Sequence, residues 1–378
     1  MAGKSADVAT IQLLAAFPRE PVFTRNRSLF VGDQLLPPVN AVAAAVASPG
    51  KQHHLLAVAT LQKELVVFRR TPQHQQWHLL CTHTLPKRIT SVSIDASFTH
   101  VVVSDAVGDV YRLPLAQSVN MKSEDDAQEQ YRLLGHFSTV TSVSLTSNYV
   151  ATTDRDNKIR VSRYPLSYVI ESFCLSHTQF ISSVQYIERD LLLSASGDGT
   201  IRLWHALKGT QLDCVHLSQC DAITRALSDR TDTKVTQPLL VKFAYHGANS
   251  DIALFALHKC DALFAVSGLQ QARLNQITML CKFGHQRHIS ALSTCEDARI
   301  YVSVQGEECI MHSEFKSHSA NGQHLQFGKI AAATSGAVRE GQGVEGAREL
   351  LHFEWIARQR KKQMVSNWKG KKRRHVEI

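Results

Sequence analysis

His177, Asp198 and a serine at 194 or 196 are the residue types of a hydrolase triad. In that chemistry a histidine takes the proton of an attacking hydroxyl while a carboxylate orients its ring. No nucleophile elbow or oxyanion motif accompanies them, which favours a buried hydrogen-bond network over a nucleophile. A second candidate is Gly341-Gln342-Gly343-Val344-Glu345-Gly346, which spells G-x-G-x-x-G. Such a loop lets a cofactor pyrophosphate approach the backbone, but only between a strand and the helix of a βαβ unit. Here a weak strand precedes it and 32 residues follow, so the segment reads as a linker and the chain lacks a cofactor site of its own. The 19 histidines raise metal binding as a third possibility. His53-His54 and the set His74, His78 and His83 come without a cysteine or carboxylate framework and read as surface histidines, so no metal is expected.

Composition narrows the class further. The eight cysteines are scattered and none forms C-x-x-C, which suits a reducing compartment and small buried thiols. No apolar run approaches the roughly 18 to 20 residues that span a bilayer. The start, Met1 to Phe17, reads as mature chain because it lacks the apolar core of a signal peptide. The net charge of +9 is local. Nine basic residues and no acid lie between Arg358 and Arg374; removing those nine from 42 leaves 33 Lys and Arg against 33 Asp and Glu. A neutral body with a basic tail is not a whole-domain nucleic-acid binder.

The elements that must position these residues repeat. Four segments share an alternating strand, a polar turn and a second strand: His54 to Phe68, His100 to Leu113, Tyr149 to Ser162 and Leu191 to Trp204. Their equivalent apolar positions, Leu65, Val110, Ile159 and Ile201, are 45, 49 and 42 residues apart. Each unit is preceded and followed by a further short strand, and four strands at that spacing make a propeller blade. Two degenerate blades follow, over Leu239 to Phe283 and Ile289 to Phe315. A seventh is expected where Val8 to Val31 closes the ring with residues after Phe315, because closure removes free sheet edges. Ser118 to Gln130 and Cys220 to Lys234 are polar and read as exposed loops. The expected organisation is a propeller over 1–330, then a Gly-rich linker, a short helix within Glu349 to Lys362 and a basic tail over 331–378.

In the fourth unit the resemblance to WD repeats is specific. Ser176-His177 stands where these repeats have Gly-His, and Asp198 sits in the turn before Thr200-Ile201-Arg202-Leu203-Trp204. His177, Asp198, Ser194, Ser196 and Trp204 then form the expected structural network, and His136 and Asp156 are expected to pair likewise one unit earlier. That makes the chain all-β: a seven-bladed WD40 β-propeller with a short helical and basic C-terminal tail.

One stretch is more particular. Thr153-Asp154-Arg155-Asp156-Asn157-Lys158-Ile159-Arg160-Val161-Ser162 is followed by Ile170-Glu171-Ser172-Phe173-Cys174-Leu175-Ser176-His177-Thr178. It resembles the DRDxKIRVS and IESFCLGHT signature of the WD-repeat, non-catalytic subunits of eukaryotic tRNA (guanine-N7) methyltransferase, the Wuho-like family. The resemblance is strong over Val101 to Trp204, and Ser176 departs from the family's usual glycine. It implies a non-enzymatic scaffold, heterodimeric with a Rossmann-type subunit that binds S-adenosylmethionine and methylates a guanine N7 in the tRNA variable loop. The family's docking charges map to Lys158 and Arg160, with Asp154 and Arg155 adjacent. Two residues apart on a strand, Lys158 and Arg160 leave the same face. In the tail, Lys361, Lys362, Lys371, Lys372, Arg373 and Arg374 fit RNA phosphate contact or an import signal, which implies the nucleus, with the cytoplasm beside it. The alternative from another class is a general WD adaptor, such as a ubiquitin-ligase substrate receptor or a chromatin-associated propeller.

Overall fold

The computed structural model describes residues 11–331 apart from short gaps, of which 229–239 and 315–327 are the longest. Seven four-stranded antiparallel sheets follow one another along the chain, and their first strands pack side by side around the ring. In chain order the blades span residues 11–35, 41–84, 89–135, 140–174, 181–216, 240–282 and 289–331. All lie in one compact unit, Met1–Thr334.

The second strand of a blade is covered on both sides by neighbouring blades, so it tolerates apolar residues at every position rather than at every other one. His54–Thr60 (HLLAVAT) and Ile252–Leu257 (IALFAL) are of this kind, buried from their second residue to their last. The core is accordingly a series of slabs between blades. Ile159, Val161 and Cys174 of blade 4 pack on Ile181, Val184 and Leu192 of blade 5, while Val102 and Val110 of blade 3 pack on Val140 and Val150 of blade 4.

Ring closure differs from the expectation. The N-terminal strands Ile11–Phe17, Glu20–Arg25, Ser28–Val31 and Gln34–Leu35 form a complete blade by themselves. The strand after Phe315, Gly328–Ala331, instead completes blade 7 by pairing with Cys309–Glu314. Among the described residues no strand is shared across the junction, where Ala16, Phe23 and Phe30 pack on Tyr301 and Ile310. Tight hairpins make local pairing available to the N-terminal segment at low loop-closure cost.

Two segments read as exposed loops are partly built in. Val119 and Met121 are buried, and the segment runs parallel to the end of blade 2's outer strand, with Thr84 N–H donating to Val119 O (2.8 Å) and Met121 N–H to Thr84 O (2.8 Å). Asp221–Ser228 is a helix whose Ile223 and Ala226 enter the slab between blades 5 and 6. The polar residues of both segments hide a few buried apolar anchors.

Candidate partner-docking site

In blade 5 the His177 network is closed. His177 Nδ1 lies 2.9 Å from Asp198 Oδ2 and Nε2 lies 2.8 Å from Ser194 Oγ, while Trp204 Nε1–H donates to Ser194 Oγ at 2.7 Å. The Asp198 carboxylate only accepts, so the neutral His177 carries its proton on Nδ1 and accepts the Ser194 O–H on Nε2, while Ser194 Oγ accepts the indole N–H. Burial pushes the His177 imidazole below its ordinary range and keeps it neutral. Burial alone would raise the Asp198 carboxyl, but His177, the Thr200 hydroxyl and Thr178 N–H outweigh it and hold it well below the carboxylate range. Ser196 is turned elsewhere: its hydroxyl donates to the Gln179 and Phe180 carbonyls and accepts Asp198 N–H. Every polar atom of the set is occupied inside the blade, and Ser194 is completely buried, so it has no route to a substrate.

In blade 4 the equivalent network is shifted by two residues. His136 Nδ1 bonds Asp154 Oδ2 at 3.1 Å, not Asp156, and Nε2 bonds Thr152 Oγ1 at 2.7 Å. The expected pairing with Asp156 is thus corrected. Asp154 occupies the place of Ser196, and its carboxylate reaches back to the histidine, leaving Asp156 exposed. Asp154 also accepts the Asp156 and Lys158 amides on Oδ1, both at 3.0 Å. Asp154, placed beside the docking charges, is buried and shapes the turn. Asn157 takes a left-handed φ of 73°, as Gly199 does in blade 5. Thr152 went unnoticed in the sequence, though it aligns with Ser194.

The turn held in this way presents Lys158, which is exposed and whose ammonium has no hydrogen-bond or ion-pair partner among the described residues. Arg160, half-buried, sends Nε–H to Ser162 Oγ (2.9 Å), Nη2–H to Ser167 O (2.8 Å) and Nη1–H to Gly135 O (3.5 Å). Ser162 stands where blade 5 has Trp204, and its hydroxyl accepts from the guanidinium, whereas Arg202 of blade 5 donates to Thr200 and Gln211. All three acceptors are neutral, so Arg160 is fixed in place with its charge unopposed. Arg155 is half-buried and its backbone N–H donates to Thr139 O.

Gly108 of blade 3 lets the loop carrying His136 pass. Its φ is +128°, and a Cβ there would stand 2.3 Å from His136 O. Among the described residues no cluster of His, Cys, Asp and Glu could hold a metal. His83 is not a surface histidine: it is fully buried, accepts Val119 N–H on Nδ1 and lies 3.3 Å from Cys81 Sγ through Nε2. Burial lowers it to about 4. The six tail residues from Lys361 to Arg374 and the glycine motif at 341–346 lie outside the described residues.

The fold is that of the WD40 propellers. It is similar to the WD40 β-propeller domain of Doa1 (13% identity, TM-score 0.54, covering 79% of this chain and 86% of that one) and to the computationally designed Ika8 protein (16%, 0.55, 86% and 89%). At these identities the likeness concerns the fold alone. The family model for the tRNA methyltransferase TRM82 WD40 domain matches residues 37–132 and 118–328, and the chain belongs to that family. It is 35% identical over 217 residues to the human tRNA (guanine-N(7)-)-methyltransferase non-catalytic subunit WDR4, covering 56% of this chain and 46% of that one. It is 27% identical over 297 residues to the wuho subunit of Drosophila willistoni, covering 75% and 68%. The match thus spans just under half of the human relative's length.

Proposed function

We propose that this chain is the non-catalytic scaffold of a tRNA (guanine-N7) methyltransferase, docking a Rossmann-type catalytic subunit as a heterodimer and meeting tRNA mainly through that complex. The observation that carries this reading is the blade 4 turn. A buried Asp154–His136 pair braces a backbone that offers Lys158 to solvent beside a fixed Arg160. Bracing matters because a preorganised cation loses little freedom on binding. Facing acidic groups on the partner, such cations form ion pairs that fix register.

S-adenosylmethionine belongs on the partner in this reading, and the tail supplies phosphate contact or nuclear import. The test is reconstitution. The chain alone should neither bind S-adenosylmethionine in a calorimeter nor methylate tRNA, and should co-elute in equal amount with the catalytic subunit of the same organism. Tight cofactor binding by this chain alone would overturn the scaffold role.

A further inference from the structure

The outer edge of blade 4 is unusually apolar. Leu166, Tyr168, Ile170, Phe173 and Leu175, five of the exposed large apolar side chains among the described residues, fall within 166–175. The strand Ile170–Cys174 pairs with Ile159–Arg163 so that Phe173 stands opposite Arg160 and Ile170 opposite Ser162. Lys158 and Leu175 flank the last pair of that register, Ile159 and Cys174. Side chains of directly opposed residues share a face. The row Ile170, Phe173, Leu175 therefore lies on the same face as Lys158 and Arg160, while Ile159, Val161 and Cys174 enter the slab with blade 5 on the other.

This row is not a general property of the fold. In blade 5 the residues opposite Thr200, Arg202 and Trp204 are His216, Cys214 and Gln211, none a large apolar side chain. In the loop between blades 3 and 4, two residues past the Gly135 carbonyl that accepts from Arg160, Phe137 is fully exposed. Clustered exposed apolar side chains of this kind mark an interaction site. The nearby acids Asp109 and Glu171 are paired with Arg132 and Arg163. With the exposed Asp156 at the turn, Lys158 and Arg160 leave the edge net positive. A second copy of this chain would set like charge against like charge. The complementary occupant is apolar and acidic.

We infer that the apolar row Phe137, Ile170, Phe173 and Leu175 is a second half of the partner interface, covered by an apolar surface of the catalytic subunit next to the acidic group that meets Lys158. This rests on the docking role proposed above and adds to it a part of the affinity that salt does not screen. Apolar and aromatic anchors supply affinity at an interface, and charge pairs beside them fix rate and register.

The test uses the full chain and the catalytic subunit of the same organism, with affinity measured at about 0.1 M and about 0.5 M salt, where screening shortens from roughly 10 Å to a few ångströms. The double variant Phe173→Ser with Leu175→Ser should bind at least about tenfold more weakly at both salts, a loss that screening does not hide. Lys158→Glu should lose most at low salt. Because the double variant alters a strand, Phe137→Ser serves beside it: a fully exposed loop side chain holds nothing folded, and this variant too should bind severalfold more weakly. Normal binding by both apolar-row variants, with Lys158→Glu impaired, would remove the apolar row from the interface and leave the docking role standing. Failure of the unaltered chain to bind would overturn both. Sedimentation of the chain alone supplies the remaining arm: concentration-dependent dimerisation abolished by Phe173→Ser would assign the row to a second copy, against this inference.

Discussion

At the scale of single residues, blades 4 and 5 show how one network tolerates a change of spelling. His177 meets a turn aspartate, whereas His136 meets an aspartate at the strand end. The sequence around the second case, Asp154-Arg155-Asp156, offers two carboxylates, and spacing alone cannot say which reaches the ring. The structure separates their work: Asp154 holds the turn and Asp156 faces solvent. Asp154→Ala should therefore cost about 1–3 kcal/mol of stability by leaving buried amides unpaired, and Asp156→Ala within about 0.5 kcal/mol. Chemical denaturation of the two variants checks this, and equal effects would refute the division of labour. His83 gives a pH prediction. Its folded value, about 4, lies below the ordinary 6.5, so the neutral ring contributes stability that is complete above about 6.5 and is lost as pH falls toward 4. The lost contribution is on the order of 3 kcal/mol. His83→Gln should consequently destabilise the chain at neutral pH more than at pH near 4.5, as melting curves across that window would show; a gap independent of pH would mean the ring titrates alike in the folded and unfolded chain, against its lowering by burial.

Elements were legible where strand and turn chemistry coincide. The four units with a polar turn followed by an apolar strand correspond to blades 2 to 5, and their period announced a propeller. Blade 1 escaped because its four strands fit within 11–35, well short of the 42 to 49 residues that separate the legible units. The expectation of a shared closing blade came from the general need to seal edges, and packing of complete blades meets that need differently. The apolar outer row of blade 4 was hidden for another reason: its alternation is what a half-buried strand shows, and only neighbours decide which half is covered. Gly108 belongs at this scale, since it lets two loops cross. Gly108→Ala should destabilise by at least about 2 kcal/mol, because both the positive φ and the clash with His136 O must relax. A melting temperature unchanged by Gly108→Ala would show that the crossing has slack.

For the whole molecule, charge separates the propeller from its tail. The body is formally neutral, and the nine basic residues from Arg358 to Arg374 carry the excess. Lysine and arginine clusters act on RNA through counterion release, without choosing sequence. Deleting Arg358 to Ile378 should leave the propeller's melting temperature intact and flatten the salt dependence of tRNA binding by the complex. An unchanged slope would relegate the tail to localisation. Docking itself stands or falls on Lys158. Its reversal to Glu sets a negative charge where an acidic partner surface is proposed, and loss of a buried interfacial pair typically costs about 2–5 kcal/mol. Affinity for the catalytic subunit and melting temperature should be measured on the same Lys158→Glu protein, with the exposed Lys208→Glu in blade 5 as control, since Arg202 there is engaged with Thr200. The predicted result is binding weakened by roughly thirtyfold or more with the fold unchanged. Normal affinity in the Lys158 variant would place the docking site elsewhere, and weak binding accompanied by unfolding would make the residue a structural one.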